Sequence, residues 1–549
     1  MNVRILLGAL IVAVALSLTA GCGQKTAPAE NPFIFARAAD SQALDPLAAD
    51  DSENAKVLGN ICEGLVRFKS GTSQIEPCLA ETWNLSSDSQ TCIIALREGV
   101  KFHDGTPLDA AAVLWNFNRQ MGTNAPGNIT SANPARRSDL YSNIEAVRVL
   151  DAQRLELRLK KPNPALLANL ATASASLISP RAPADCGKEL SRHPVGTGPF
   201  KLREWPPNGQ IVLEANPDYW GQKPKSERVV FKVVTNSSER LTQLRTGQIH
   251  AMDGLNPDDL ASVRANKQLT LLEATGINMV SLAFNCRKAP MDRLELRQAV
   301  AMAVQRPPLI ESVYRGAAVA ATCVLPPALR PADAKIEEWP LDIERARSLI
   351  AQLQIVVKPI TVSTNDAFGL PITFTTNVIE RVELPLLKLH VVNTPCPCLP
   401  NPTQAAELIK SDLEAIGLKI QIVAQDPAAY IATVSKGEHD LALHVYTGRN
   451  GDPGDFFRVV SPEATHAGDL ANISFLEDYQ LAAALSEARE QLDAEKRAAA
   501  YLRALALARE HLPIISLAHA NDMVVFRREV RDFVLLPNLE RRLSPVWLK

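Results

Sequence analysis

Residues 80–121 of this 549-residue chain read AETWNLSSDSQTCIIALREGVKFHDGTPLDAAAVLWNFNRQM and carry its clearest local structure signals. The polar run Ser86–Gln90 predicts a turn, and the apolar run Thr91–Leu96 that follows it predicts a strand. Arg97–Gly105 predicts a second strand that ends in a turn. From Asp109 onward, apolar residues recur at helical spacing, and Asp109 itself is a suitable N-cap. The stretch therefore predicts strands followed by a helix.

Strands and helices alternate along most of the remaining chain, which indicates the α/β class. Strands are predicted at residues 33–38, 144–159 (two strands around a turn), 210–215, 228–234, 279–285, 419–423, 441–445, 514–518 and 523–526. Helices are predicted at residues 164–173, 237–245, 294–303, 342–353, 403–416, 428–435 and 475–510. Residues 354–402 mix β-branched residues and prolines without a clear period, which predicts a long insertion with some strands.

The length and composition are those of a globular protein with two or three domains. Hydrophobic residues make up 46% of the chain and charged residues 21%, which is ordinary for folded proteins. The formal net charge is −2, and nucleic-acid binding requires clustered Lys and Arg to neutralise phosphates. Nucleic acid is therefore not predicted as a partner.

The N-terminus has the pattern of a secretory signal, because Arg4 precedes the apolar segment Ile5–Leu18 and small residues follow. The sequence Leu-Thr-Ala-Gly-Cys that ends at Cys22 resembles a bacterial lipobox, which implies that Cys22 is lipidated and anchors the mature protein outside the cytoplasmic membrane. Residues 1–22 are thus predicted as a lipoprotein signal peptide and residues 23–31 as a flexible tether. The alternative, a transmembrane anchor, is disfavoured because the apolar segment spans only ~21 Å as a helix.

Eight cysteines remain besides Cys22, and an even number in an exported protein is compatible with disulfides. Cys78 and Cys92 flank a predicted turn and strand and could form a local bridge. Cys396 and Cys398 are separated by one proline, and His390 upstream would complete only three ligands of a zinc site. A disulfide to another cysteine and two free thiols are both open for this pair. No metal and no cofactor are predicted.

Motifs of the common enzyme classes are absent from the sequence, which contains no HExxH, GxSxG or Walker pattern. The glycine-rich run at 196–199 lacks a third glycine, and its proline removes a backbone amide. His103-Asp104 and His439-Asp440 are each interpreted as polar turn pairs. No catalytic residue is predicted, and the protein is not predicted to be an enzyme.

Several segments together resemble the extracytoplasmic solute-binding proteins of ABC importers, in family 5 of dipeptide and oligopeptide binders. Residues 80–121 match through their W–S–D spacing and the LREGVKFHDG core, with Ala112 where an acidic residue is usual. Further matching segments are PVGTGPFKL at 194–202, NPDYWG at 216–221, LRTGQIHAMDGL at 244–255, AFNCRKAPMD at 283–292, RQAVAMAV at 297–304, TGRNGDPGDFF at 447–457 and LPIISLAHA at 512–520.

The resemblance implies a two-lobed α/β clamshell of the periplasmic-binding-protein kind (type II-like), with an extra domain inserted in the first lobe. On that basis we predict lobe I at residues 32–62, 195–280 and 515–549, the inserted domain at 63–194 and lobe II at 281–514. Crossing strands would join the lobes. A ligand that contacts both lobes favours the closed state over the open one.

The function implied is that of a substrate-binding component of an ABC transporter, which captures a peptide or peptide-like solute outside the cytoplasmic membrane and delivers it to a permease. The expected partners are the ligand, the permease and ATPase subunits, and the membrane through the lipid anchor; the protein is expected to be a monomer. Two alternatives stay open: a lipid-anchored solute sensor or peptide holder without import, and a binder of another ligand such as glutathione or haem. A secreted hydrolase is disfavoured because no nucleophile with a partner is visible.

The ligand-binding residues implied by the resemblance are Tyr446, Thr447, Gly448, Arg449 and Asp452. Dipeptide binders of the family have Trp-Thr-Gly-Asp where this chain has Tyr446-Thr447-Gly448-Arg449, and Arg449 would repel the α-ammonium that the aspartate binds. The family's carboxylate-binding arginine falls near Cys396. The resulting hypothesis is a peptide-like or anionic solute with a carboxylate at Arg449, against a surface salt bridge as the alternative role.

Three neighbouring side chains leave alternatives open. Asp452 and Asp455 could replace the missing acid or cap a turn, and Tyr446 could stack on a ligand or belong to the core.

Overall fold

A computed structural model describes residues 32–48, 52–122, 140–207, 209–331, 334–365, 371–381, 383–465, 471–536 and 540–549. The predicted signal peptide with Cys22 and the tether at 23–31 lie outside these ranges. None of the helices in the described part of the chain combines the length and apolarity needed to cross a bilayer.

The strands of the described ranges are distributed from the first described residues to the C-terminus. They are β1 (Phe33–Arg37), β2 (Val66–Phe68), β3 (Ile75–Pro77), β4 (Ala80–Leu85), β5 (Thr91–Leu96), β6 (Ile144–Val149), β7 (Arg154–Leu159), β8 (Phe200–Glu204), β9 (Ile211–Ala215), β10 (Arg228–Val233), β11 (Ala251–Asp253), β12 (Leu269–Thr275), β13 (Asn278–Phe284), β14 (Ala318–Ala320), β15 (Ile355–Asn365), β16 (Pro371–Arg381), β17 (Leu387–Val392), β18 (Ile420–Gln425), β19 (Leu441–Thr447), β20 (Ile514–Arg527), β21 (Val530–Arg531) and β22 (Trp547–Leu548).

The α-helices lie between these strands. They are α1 (Ser52–Ile61), α2 (Ala110–Met121), α3 (Leu166–Leu170), α4 (Ala182–Cys186), α5 (Ser237–Arg245), α6 (Leu260–Ala265), α7 (Leu294–Ala303), α8 (Arg306–Tyr314), α9 (Ile343–Leu353), α10 (Pro402–Ala415), α11 (Pro427–Ser435), α12 (Pro453–Phe456), α13 (Tyr479–Glu490) and α14 (Ala494–His511).

The helix predicted after Asp109 is confirmed as α2, and the Asp109 carboxylate accepts a hydrogen bond from the Ala112 amide at 2.8 Å. This is the expected N-cap geometry. The predicted insertion at 354–402 contains the hairpin β15–β16 and the sheet strand β17. The sequence pattern therefore predicted the position of the helix correctly. For the insertion it predicted only that some strands are present.

The strand predicted at 97–105 is wrong, since this segment consists of turns with one isolated bridge. Gly99 and Gly105 have φ angles of 75° and 85°, which bend the chain out of the extended conformation. Val100 and Phe102 are nevertheless buried in the core. The apolar alternation that suggested a strand comes from a turn that inserts two side chains into the core.

The largest sheet of the described chain contains twelve strands, and β20 runs through its centre. Ten of the strands follow the order β18-β17-β19-β13-β20-β11-β1-β10-β9-β8, and the other two, β12 and β14, pair with β20 outside this order. The first half of β20 pairs with β13 and β14, and its second half pairs with β11 and β12. The strand β20 and the consecutive pair β12–β13 therefore both cross from one group of strands to the other.

The side chain of Asn278 joins the two crossing segments through hydrogen bonds. Its Nδ2 donates to the carbonyl of Ala520 at 2.8 Å, and its Oδ1 accepts from the Ala520 amide at 2.8 Å. The amide of Gly276 also donates to the Ala520 carbonyl, and a Cβ at Gly276 would lie 2.3 Å from Asn278 Nδ2. The junction between the two groups of strands is thus narrow and specifically hydrogen-bonded.

A separate four-stranded antiparallel sheet has the order β4-β5-β7-β6 and its own apolar core with α2. It lies within the segment 63–194 that was predicted as the inserted domain. The exact domain boundaries stay a prediction.

Two of the matching motifs meet at the buried side chain of Glu63. Its two oxygens accept hydrogen bonds from Thr197 Oγ1 at 2.9 Å, Tyr219 OH at 2.7 Å and Trp220 Nε1 at 2.9 Å. Thr197 belongs to the run 194–202, and the two aromatic residues belong to 216–221. Burial raises the pKa of Glu63, and these hydrogen bonds act in the opposite direction.

The glycines of the run 194–202 are required by close backbone contact. A Cβ at Gly196 would lie 2.1 Å from the carbonyl oxygen of Ile61, and one at Gly198 would lie 2.6 Å from the same atom. The motif around His103 joins the same contact, because its amide donates to the Gly196 carbonyl and its Nε2 lies 3.0 Å from the Gly198 carbonyl. The proline- and glycine-rich segment is therefore a packed crossover, with no exposed phosphate-binding loop.

The local bridge considered for Cys78 and Cys92 does not form, and both thiols are free and buried. In the β4–β5 pairing Cys92 lies opposite Leu85, whereas Cys78 precedes Ala80 at the other end of the hairpin. Five residues of strand separate the two ends by roughly 17 Å. A disulfide requires Cα atoms within about 7 Å, so the register excludes it.

Candidate functional site

The predicted ligand-binding residues lie at the end of β19 and in the loop that leads to α12. Tyr446 is buried, and its hydroxyl donates to Asp455 Oδ1 at 2.9 Å. Its ring packs edge-on against Phe456, with ring centroids 5.8 Å apart. In this structure Tyr446 is a core residue, and its contacts with Asp455 and Phe456 support the loop.

Gly448 and Thr447 connect this loop to its surroundings. The Gly448 amide donates to the carbonyl of Ile277 at 2.7 Å, between the crossing strands β12 and β13. A Cβ at Gly448 would lie 2.5 Å from the ring of Phe456, so only glycine fits there. Thr447 Oγ1 lies 3.9 Å from the sulfur of Cys398. The loop is therefore anchored directly at the junction of the two strand groups.

Arg449 forms an ion pair with the buried carboxylate of Asp455. Arg449 Nη2 and Nε donate to Asp455 Oδ1 at 2.8 and 3.1 Å, and the Arg449 amide donates to Oδ2 at 2.6 Å. Burial by itself would raise the pKa of Asp455, but the Arg449 charge and the hydrogen bonds hold it below its usual value. Asp455 is thus the acceptor that fixes both the backbone and the guanidinium of residue 449.

Asp452 pairs with a cation of α14. Its carboxylate lies 2.8 Å from Arg497 Nη2, and its Oδ1 accepts from the Gly454 amide at 2.8 Å, which caps α12. The capping role considered for Asp452 is therefore present in the structure. Both acidic residues near Arg449 are engaged with partners of their own chain.

Arg449 and Asp452 line a polar cavity of about 380 Å³. One wall comes from residues 140–169, within the predicted inserted domain, and the other from residues 449–497. Asn450 Nδ2 donates to Asn169 Oδ1 at 2.6 Å across the buried part of this boundary. The cavity lies between two parts of the chain that are distant in sequence, and ligand pockets occur preferentially at boundaries of this kind.

Ion pairs surround this cavity and make its lining strongly polar. They are Lys161–Glu490 at 2.6 Å, Arg449–Asp455 at 2.8 Å, Arg497–Asp452 at 2.8 Å, and Arg489–Glu463. The Lys161–Glu490 pair crosses between the two walls, but both side chains are in contact with solvent, so it adds little stability. A charged solute would enter a site whose own charges are arranged in pairs.

A second cavity of about 580 Å³ is predominantly apolar and lies between α14, the start of β20 and the segment 322–339. All of its walls belong to the strand group that contains β13 and β19. A ligand there would not touch the other group and so could not favour closure of one group onto the other. The polar cavity is therefore the better candidate for solute binding.

No group of three or more His, Cys, Asp or Glu side chains within the described ranges is arranged to hold a metal ion. His390 hydrogen-bonds to Gln425 at 2.8 Å.

The family model of bacterial extracellular solute-binding proteins, family 5 middle, matches residues 74–465. The match covers more than half of the chain and includes the loop after β19. The chain belongs to this family.

Relatives of this family 5 protein extend the match to most of the sequence. Di/tripeptide-binding protein 3 of Pseudomonas aeruginosa is 30% identical over 490 residues, which cover 86% of each chain. Heme-binding protein A of Haemophilus influenzae is 29% identical over 560 residues, covering 97% of this chain and 96% of the relative.

The periplasmic binding protein DppA from Helicobacter pylori, solved with the peptide STSA, is a structural relative of this family 5 protein. It superimposes with a TM-score of 0.79 and 26% identity, covering 94% of this chain and 98% of that chain. The two-lobed clamshell fold is therefore confirmed.

The family 5 protein builds its cavity from residues that sequence reasoning did not find. Lys161, Asn169 and Arg497 lie far from the loop in sequence, and the contact between residues 169 and 450 spans 281 positions. No local motif marks them. The sequence indicated Asp455 only as a neighbour of Arg449; it lies six positions further along the chain, in α12.

Proposed function

We propose that this protein is the solute-binding component of an ABC importer, which captures a peptide or peptide-like solute outside the cytoplasmic membrane and delivers it, as a monomer, to a permease. The observation that carries this is a polar cavity between two walls of the chain, lined by the loop after β19, on a fold whose halves are joined by crossing strands. The family membership and the names of the relatives support it.

The expected mechanism follows from the junction of the crossing strands. Gly448 is hydrogen-bonded to Ile277, so the ligand loop is directly connected to the segment between β12 and β13. A solute that contacts both walls of the cavity binds the closed arrangement better than the open one, and this difference drives closure. The closed surface would then be recognised by the permease. No bond of the solute changes in this cycle.

The charge of the loop favours a solute without a free ammonium group at residue 449. Arg449 stands where dipeptide binders of the family have an acid, and Asp452 and Asp455 already pair with arginines. An ammonium placed there would meet a guanidinium and would need to displace one of these pairs. A carboxylate would instead receive charge-assisted hydrogen bonds, worth roughly 1.5–3 kcal/mol in favourable sites.

Arg449→Ala is therefore expected to weaken binding of an anionic or N-blocked peptide by at least about tenfold, and to leave binding of a free dipeptide unchanged or stronger. Thermal shift followed by calorimetry would measure this, with dipeptides, N-acetylated dipeptides, longer peptides, glutathione and haem as the panel. Asp455 keeps its hydrogen bonds from the residue 449 amide and from Tyr446, so the loop should hold its shape.

Arg489→Ala is the matched control, because Arg489 lines the same cavity but pairs with the exposed Glu463. It should change affinity for the panel less than twofold. Tight binding of ordinary free dipeptides by the wild type, which carries Arg449, would remove the altered-specificity proposal while leaving the importer role intact. Failure of every solute in the panel to bind would count against the importer role itself.

We also propose that Cys22 carries a lipid that holds the protein on the membrane. The lipobox-like sequence that ends at Cys22 supports this. Cys22→Ala is expected to move most of the protein from the membrane fraction to the soluble extracytoplasmic fraction, because a tethered chain has no other apolar anchor predicted in its sequence. Fractionation with immunoblotting measures the change, and Cys186→Ala serves as a control; continued membrane association of the Cys22 variant would refute the anchor.

A sensor or peptide holder without import is the second candidate function, since the same closure could signal instead of transport. A neighbouring permease and ATPase would favour import. The haem-binding relative keeps a larger, non-peptide solute as an alternative ligand class, which is why haem belongs in the panel.

A further inference from the structure

The segment Cys396-Pro397-Cys398 forms a tight turn beside the ligand loop. The Cys396 amide donates to the Leu399 carbonyl at 3.2 Å, and the Leu399 amide donates to the Cys396 carbonyl at 3.0 Å. The Tyr314 hydroxyl holds the turn from behind through the Cys398 carbonyl at 2.9 Å. The chain is therefore closed back on itself at these two cysteines.

The two cysteines of this turn lie close together, because the hydrogen bonds between Cys396 and Leu399 fold the chain back at Cys398. Residues two positions apart lie at most about 7 Å from each other along the chain, within reach of a disulfide when the chain turns. Cys396 is half-buried, and Cys398 is 9% exposed.

The turn lies next to the end of β19, where the predicted ligand-binding residues begin. The Cys398 sulfur lies 3.9 Å from Thr447 Oγ1, in the loop that carries the predicted ligand-binding residues. Asp522, in the crossing strand β20, acts electrostatically on the same thiol. The dithiol therefore lies where the ligand loop meets the junction of the two halves.

The chemistry of Cys396 differs from that of the other described cysteines. The hydrogen bond from Cys398 lowers the pKa of the Cys396 thiol to about 7, although burial acts in the opposite direction. Burial raises the pKa of Cys92 and of Cys286 to about 11, and it also raises the pKa of Cys62. Thiolate is the nucleophilic form, so Cys396 is the reactive thiol among them.

We propose that Cys396 and Cys398 form a thiol–disulfide exchange site beside the ligand loop, whose substrate is a small-molecule disulfide. Cys396 is the attacking residue and Cys398 the resolving residue. The proposal does not depend on which solute the cleft transports, and it gives the protein a covalent activity beyond capture.

The exchange proceeds in two balanced steps. The Cys396 thiolate attacks one sulfur of the external disulfide, the bond between its two sulfurs breaks, and one thiolate leaves. The Cys398 thiol then loses its proton and its sulfur attacks Cys396, which breaks the mixed disulfide and releases the second thiolate. Two protein thiols are oxidised to one disulfide, the external disulfide is reduced to two thiols, and the protons from the cysteines end on the thiols released.

The first test is native-state alkylation of the reduced full-length protein with iodoacetamide near neutral pH, read residue by residue through peptide mass spectrometry. Cys396 should react at least about tenfold faster than Cys62, Cys92 or Cys286. The second test adds glutathione disulfide. The wild type should lose two hydrogens in the 396–398 peptide and release two equivalents of glutathione.

The variants separate the two roles. Cys398→Ser should accumulate the mixed disulfide of Cys396 with glutathione, because the resolving thiol is absent, whereas Cys396→Ser should react with neither reagent at this peptide. Cys286→Ser is the matched control and should behave as the wild type. Melting curves of all variants check that each is folded, which we expect because serine is close to cysteine in size.

The proposal is overturned if Cys396 in the folded wild type reacts no faster than the buried cysteines, or if glutathione disulfide leaves the 396–398 peptide reduced. Accumulation of a stable mixed disulfide in the wild type would also contradict it, since Cys398 would then not resolve. Solute binding by the panel above is measured separately, so failure here leaves the importer function untouched.

Discussion

Glu63→Ala is expected to lower the free energy of unfolding by about 4 kcal/mol and to reduce the yield of folded protein. The substitution removes the shared acceptor of Thr197, Tyr219 and Trp220. Each buried donor left without a partner costs roughly 1–3 kcal/mol, and part of the total is returned because a buried carboxylate no longer has to be desolvated.

Glu63→Gln is the informative matched variant, with an expected cost of only about 1 kcal/mol. Its carbonyl can accept from Thr197 and Trp220, and its amide can donate to the Tyr219 hydroxyl, because a hydroxyl both donates and accepts. Urea unfolding followed by circular dichroism measures both variants, and Glu76→Ala on the partly exposed pair with Arg67 is the surface control. A cost below about 1 kcal/mol for Glu63→Ala would contradict the central role of the network.

The same network explains how far the sequence could predict the fold. The motifs at 194–202 and 216–221 were recognisable because glycines at a close backbone contact and aromatic donors to one carboxylate tolerate few substitutes. Helix α2 was predictable because its cap and its apolar spacing are local. The segment 97–105 was mispredicted because Gly99 and Gly105 adopt left-handed backbone conformations that apolar periodicity does not encode.

The candidate site was only partly predictable, because its walls come from distant parts of the chain. The sequence indicated Arg449 as the unusual residue of the loop, and the structure places it at the cavity. It did not indicate that Asp455 would pair with Arg449, nor that Asn169 would face Asn450. Pairings of this kind depend on the tertiary fold, since no periodicity or local motif relates residues on opposite walls of a cleft.

Two buried histidines are expected to make the fold sensitive to mild acid, and one of them lies at the junction of the crossing strands. Burial lowers the pKa of His439 and of His519 to about 4. The Nδ1 of His519 lies 2.7 Å from the carbonyl of Asn278, which can only accept, so this nitrogen carries the proton of the neutral ring. Its Nε2 lies 3.5 Å from Arg330 Nη2, where a second proton would meet a cation.

The direction of the effect follows from proton binding in the two states. A histidine in the unfolded chain takes up a proton below its ordinary pKa of about 6.5, while the folded protein keeps these two neutral down to about 4. Their contribution to stability is therefore complete above about 6.5 and is lost progressively as the pH falls toward 4. Between pH 7 and pH 5 each histidine should cost about 2 kcal/mol of unfolding free energy.

His519→Gln should make the loss of stability between pH 7 and pH 5 smaller by about 2 kcal/mol, and His439→Gln should do the same, because glutamine takes up no proton. Urea titrations at both pH values give the free energies directly, and the exposed His193→Gln serves as the control that leaves the pH dependence unchanged.

Solute affinity measured at the same pH values adds a second readout. Because the folded protein keeps His519 neutral at pH 5, the affinity of the folded wild type at pH 5 should equal that of His519→Gln. Equal acid sensitivity in all three variants would show that these rings accept protons without disturbing the fold.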